Sequence, residues 1–218
     1  MTSAARAPRS LVWAGAVVFV VALGLVLLMV VRPSAASPSS GGTTGVSAGA
    51  PAESSADVGF ARDMSVHHQQ AVEMAFIVRD RTDDEDVRRL AYDIINTQAN
   101  QRGMMLGWLD AWGVPKSSEG PRMAWMGHPA TATDGALMPG MATDSQLDRL
   151  RAAESRAAEV LFLRLMTVHH RAGADMARVA AASASTDEIR GLAAGMARAQ
   201  TSEIALMADM LKARGAKP

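Results

Sequence analysis

Sliding the chain against itself by 102 residues aligns 60–113 with 162–215 without a gap, and 16 of the 54 paired positions are identical. A repeat this long is a duplicated supersecondary unit, because solenoid repeats have periods of about 20–50 residues. Whatever the chain folds into must therefore be built from two equivalent halves. The most similar stretch pairs Phe60-Ala-Arg-Asp-Met64-Ser-Val-His67-His68 with Phe162-Leu-Arg-Leu-Met166-Thr-Val-His169-His170. Met74 then falls on Met176, Gln98 on Gln200, Met105 on Met207 and Gly113 on Gly215.

Each copy has helical periodicity and a polar break. First helices are expected over about 57–80 and 158–182, interrupted by the polar runs 80–86 and 183–188. Thr82 with Glu85, and Ser185 with Glu188, have capping-box spacing, so second helices should start there and stop at Gly113 and Gly215. Neither hairpin can bury its apolar stripe alone, and two antiparallel hairpins should dock as a four-helix bundle. The expected fold class is all-α, with a duplicated bundle domain over 57–215. A methionine-rich connection, 114–144, joins the repeats, and a short helical lead-in is expected at 145–153. The charged residues of 148–159 are expected to form a solvated helix face.

Helical phase then places the chemistry. At about 100° per residue, Met64, His67, His68, Ala71 and Met74 share one stripe about 120° wide, the width of a core-facing surface. The second copy repeats this with Met166, His169, His170, Gly173 and Met176. Four of the five histidines are thus expected on inward faces. On the second helices, Gln98 and Gln101, and Gln200 and Glu203, interrupt otherwise apolar stripes. Folding each hairpin about residue 82 or 83 brings 67 level with 98 and 64 level with 101. These four side chains are therefore expected beside the histidines, with one of them within hydrogen-bond reach of each pair, as partners that orient metal-bound imidazoles are.

Methionine is abundant, with 13 of 15 residues following position 31, and there is no cysteine. The missing cysteines exclude disulfides, thiolate sites and Cys nucleophiles. Thioether and imidazole donors together favour copper, Cu(I) above all, whereas zinc usually shows thiolate or carboxylate beside histidine. Met105, Met207 and the connection's Met123, Met126, His128, Met138 and Met141 are possible accessory ligands. Two other readings stay open. The histidines could simply be hydrogen-bonded core residues, or a His/Met pair could ligate non-covalent haem. No nucleophile elbow or three-ligand zinc motif suggests an enzyme. With 22 basic and 22 acidic residues there is no basic footprint for nucleic acid.

Leu11–Val31 is 21 residues without a charge, preceded by Arg6 and Arg9. That is long enough to span a bilayer, and the arginines place 1–10 in the cytoplasm. The expected layout is an anchor at 11–31, a flexible Ser/Gly/Ala-rich tether at 32–56, and the bundle outside the cell. Ser34-Ala35-Ala36 would also suit cleavage, so 11–31 could instead be a signal sequence.

The segments Met64-Ser-Val-His-His-Gln-Gln-Ala-Val-Glu-Met74, Met138-Pro-Gly-Met141 and Met166-Thr-Val-His-His-Arg-Ala-Gly-Ala-Asp-Met176 resemble domain of unknown function 305, over about 57–215. The resemblance implies an exported, ferritin-like helical protein, and some members of that family are linked to copper binding and copper tolerance. It implies Met64, His67, His68, Met74, Met166, His169, His170 and Met176 as candidate ligands. Arg171 departs from the pattern, standing where the first copy has Gln69, so the two sets could differ.

Overall fold

The computed structural model describes residues 49–217, and the expected membrane span at 11–31 lies outside the described residues. Five α-helices form: α1 Ala56–Arg79, α2 Glu85–Ala111, α3 Asp144–Ala152, α4 Ser155–Ser183 and α5 Asp187–Ala213. A 3-10 turn, Ala124–Met126, sits in the long connection between α2 and α3. Among the described residues no strand forms beyond one isolated bridge between Thr133 and Ala136. None of the described helices is long and apolar enough to cross a membrane.

Each repeat is a hairpin, α1 with α2 and α4 with α5, and the hairpins meet chiefly through α1 against α4. The helix ends differ from expectation in their caps. Asp84 caps α2 by accepting from the Val87 N–H at 2.9 Å, and Thr186 caps α5 by accepting from Ile189 at 3.4 Å. The expected caps one or two residues earlier, Thr82 and Ser185, bond elsewhere. The full capping box is at α3, where Thr143 and Gln146 satisfy each other's backbone N–H. Gly113 and Gly215 follow α2 and α5 with φ of +68° and +63°, the left-handed stop that glycine adopts without a Cβ clash.

The displaced cap candidates join the two repeats. Asp57, in the first turn of α1, accepts from the backbone N–H and hydroxyl of both Ser185 and Thr186, at 2.7–2.9 Å. Burial raises its pKa, but these four donors outweigh that effect and hold the carboxyl below its ordinary value. Glu159 is the matching acid one repeat later. It accepts from the Thr82 hydroxyl at 2.6 Å and from Arg214 at 2.6 Å, and Arg214 also pairs with Asp84 at 2.8 Å. Each inner helix therefore begins with a carboxylate that grips the turn of the opposite hairpin. Glu159 is buried, which corrects the expectation that the charges of 148–159 all face solvent.

The core consists of two apolar clusters. One contains Met74, Val78, Ile94, Phe162, Met166 and Met207; the other contains Phe60, Met64, Met105, Met138, Met176 and Met196. Along α1 and α4, the fully buried histidines lie between the residues that feed these clusters.

Candidate metal centre

Helical phase turns His67 and His68 inward on α1 and His169 and His170 inward on α4, and all four are fully buried. The inner helices pack so that the His67 and His169 rings stack, with centroids 3.6 Å apart and planes 28° apart. His68 and His170 flank this pair, with ring centroids 6.4 Å from His67 and 6.2 Å from His169 respectively. The repeats thus pool their histidines in one layer, which corrects the expectation of two separate sets.

The methionines are redistributed in the same way. Met64 shares its cluster with Met176 of the other repeat, and Met74 shares the opposite cluster with Met166. Met105 joins the first group and Met207 the second. Antiparallel packing of α1 on α4 explains the exchange: the residues before the His pair in one helix lie near those after it in the other.

Partners on the outer helices fix ring orientation. His68 Nε2–H donates to Gln101 Oε1 at 2.8 Å, and His170 Nε2–H donates to Glu203 Oε2 at 2.6 Å. The repeat places Gln101 and Glu203 at equivalent positions, so both hairpins have the same register. That register is about one helical turn away from the expected one, which paired 64 with 101. The extended residues before the Asp84 cap lengthen the turn without adding helical rise. Gln98 and Gln200 are also buried, but their Oε1 atoms have no hydrogen-bond partner.

His169 Nε2–H donates across the repeat interface to the His67 carbonyl at 3.1 Å. In His68 and His169 the proton therefore sits on Nε2, leaving Nδ1 as a bare lone pair, and in His170 Nε2 likewise carries the proton directed at Glu203. All three Nδ1 atoms are buried without a partner, as are both ring nitrogens of His67. An unsatisfied buried polar atom costs about 1–3 kcal/mol, so five together require an explanation. Desolvation pushes His67 and His169 well below the usual imidazole range, and neighbouring imidazoles add to the shift. Desolvation likewise lowers His68, to about 4, against the opposing effect of its Gln101 hydrogen bond. These rings are neutral at physiological pH, the form that binds metal.

Among the described residues, no group of three or more His, Asp, Glu or Cys side chains is arranged to hold a metal ion. An ion held at this layer would need donors besides the imidazoles, and the bordering clusters offer methionine thioethers. That requirement fits a soft ion that tolerates few ligands, Cu(I), better than zinc. Haem fits poorly because the layer is tightly filled. A single Cβ added at Gly173 would lie 2.4 Å from Gln200 Oε1 and 2.9 Å from His67 Cε1. Arg171 is exposed, so its cation faces solvent and not the histidines.

The connection's residues separate. Met138 is buried in the core, Met141 lines a cleft beside Gln70 and Glu73, and Met123, Met126 and His128 line another against α4. Sequence reasoning missed the side chains that hold this connection. Buried Asp63 accepts from the Met123 N–H at 2.8 Å, Trp125 Nε1 at 3.0 Å and Arg122 at 3.1 Å. Gln70 brackets Ala142, donating to its carbonyl at 2.8 Å and accepting from its N–H at 2.7 Å. Asp63 is replaced by Leu165 in the second copy, so the repeat gave no signal for it. Asp57 and Glu159 did have such a signal, as acids at equivalent positions.

The family model for domain of unknown function 305 matches residues 57–211. The chain belongs to the DUF305 family. A DUF305 protein of Streptomyces coelicolor, described as secreted, is 58% identical with a TM-score of 0.72, over 76% of this chain and 98% of that one. A DUF305 fragment from Deinococcus radiodurans is 29% identical with a TM-score of 0.62, over 72% and 95%. CopM in its Cu(II)-bound form is 26% identical with a TM-score of 0.57, over 70% and 93%. Comparison with curated proteins returns no match.

Proposed function

We propose that this DUF305 chain is an extracytoplasmic copper-binding protein that sequesters or hands on Cu(I) without catalytic turnover. The observation that carries the reading is the histidine layer. Its five partnerless ring nitrogens are buried between two methionine-bearing clusters, and three of the four rings have the other nitrogen anchored. The proposed donors are Met64, His67, His68 and Met74 with Met166, His169, His170 and Met176. Gln101 and Glu203 hold His68 and His170 in place. Loss of such orienting partners typically weakens metal binding about 10–100-fold.

The Cu(II)-bound form of the related CopM supports copper as the metal, and the thioether-rich surroundings favour its reduced state. Placement outside the cell rests on the secreted Streptomyces relative and on the charge-free span 11–31, which would anchor the bundle to the membrane.

The test is His67→Ala combined with His68→Ala, titrated with Cu(I) against a competing chelator. Weaker binding by a chain that stays helical supports the proposal. Lower thermal stability with unchanged Cu(I) affinity would show that the histidines serve only packing.

A further inference from the structure

The chemistry of the connection between the repeats is not used by the histidine layer. Its 3-10 turn, Ala124–Met126, is firmly seated against α1. The Trp125 ring lies on Gly59, where an added Cβ would come within 2.4 Å of it, and meets Phe60 edge-on at 6.0 Å. Asp63 fixes the Trp125 indole and the Met123 N–H. Met123 itself sits in the left-handed region, at φ +61° and ψ +12°. A non-glycine residue is held there only when its surroundings over-determine it, and such strain concentrates at functional sites.

This turn faces a cleft of about 530 Å³ against α4. Met123 is buried in its wall, Met126 is half-buried and His128 is exposed, while Met176 of α4 lines the same space. Asp175 and Arg178 complete the polar lining and pair with each other, so they bring no net charge. Three thioethers and the only histidine outside the buried layer thus line one solvent-reachable cleft. Scattered core methionines would not need an exposed imidazole or a rigidly held turn. Imidazole and thioether together are a donor set for a soft monovalent cation.

We propose that this cleft is a Cu(I) capture site distinct from the histidine layer, with His128 and Met126 as outer donors and Met123 beneath them. Met176 belongs both to the wall of this cleft and to the apolar cluster that borders the histidine layer. Transfer inward rests on the function proposed above; capture at the cleft does not.

The test uses the full chain carrying Met126→Leu with His128→Asn, titrated anaerobically with Cu(I) against a chromophoric chelator. His128→Asn alone serves as the milder variant, since that side chain is exposed. The expected result is the loss of one bound equivalent relative to the parent, with unchanged helicity. The His67→Ala/His68→Ala chain should keep that equivalent. Stoichiometry and affinity equal to the parent's in both linker variants would overturn the proposal. If binding is then lost only from the buried-histidine variant, the histidine layer stands as the sole site.

Discussion

Gly173 is where the histidine layer is most tightly packed, and replacing it with alanine tests the geometry directly. Its counterpart in the first repeat is Ala71, so a methyl group is tolerated on one inner helix and excluded on the other. An added Cβ would meet Gln200 Oε1 at 2.4 Å, Gln200 Cδ at 3.2 Å and His67 Cε1 at 2.9 Å. Gln200 is only 3% exposed and has little room to move aside, while His67 is stacked on His169. Overpacking of this kind costs about 1–3 kcal/mol. Alanine also favours the helix by about 0.5–1 kcal/mol over glycine, which offsets part of that cost. Gly191 in α5 supplies the control, because an added Cβ there meets nothing within 4 Å. Gly191→Ala should therefore stabilise by about 0.5–1 kcal/mol, and Gly173→Ala should be less stable than that control by about 1–3 kcal/mol. At roughly 2–4 °C per kcal/mol for a domain of this size, thermal unfolding followed by circular dichroism resolves the difference. If both substitutions raise the melting temperature equally, His67 and Gln200 do not press on α4 and the described layer is wrong.

Acid should destabilise the metal-free protein. His67, His68 and His169 have folded pKa values below 6.5, so the unfolded chain binds more protons and stability falls as pH drops through that value. For His68 alone, a shift to about 4 gives a loss of about 2 kcal/mol at pH 5. Urea midpoints measured from pH 7.5 to 5 check this, and a flat profile would contradict burial of the neutral rings. Asp57→Ala removes the acceptor for two backbone N–H groups and two hydroxyls at the opposite turn. It should cost about 1–3 kcal/mol, and native-state hydrogen exchange should show the N-terminus of α5 opening. Unchanged protection of Ser185, Thr186 and Ile189 would refute that link between the hairpins.

The sequence by itself determined everything that repeats along one helix. The 102-residue offset showed two equivalent hairpins, and helical phase placed His67, His68, His169 and His170 inward with polar partners on the outer helices. Such inferences succeed because side-chain direction within a helix is a local property of backbone geometry. Only the tertiary structure decided which side chains meet across helices. Antiparallel packing of α1 on α4 merged the histidines into one layer and exchanged methionine partners between repeats, placing Met64 with Met176 and Met74 with Met166. The non-helical residues before Asp84 moved the register by a turn, so that Gln101 met His68. Thr82 and Ser185 had the local spacing of caps, but Glu159 and Asp57 from the other hairpin claimed them. Asp63 and Gln70 looked like ordinary polar residues until the connection folded over them. Periodicity along one chain segment carries no information about the length of a turn or the identity of a distant partner, and packing supplied both.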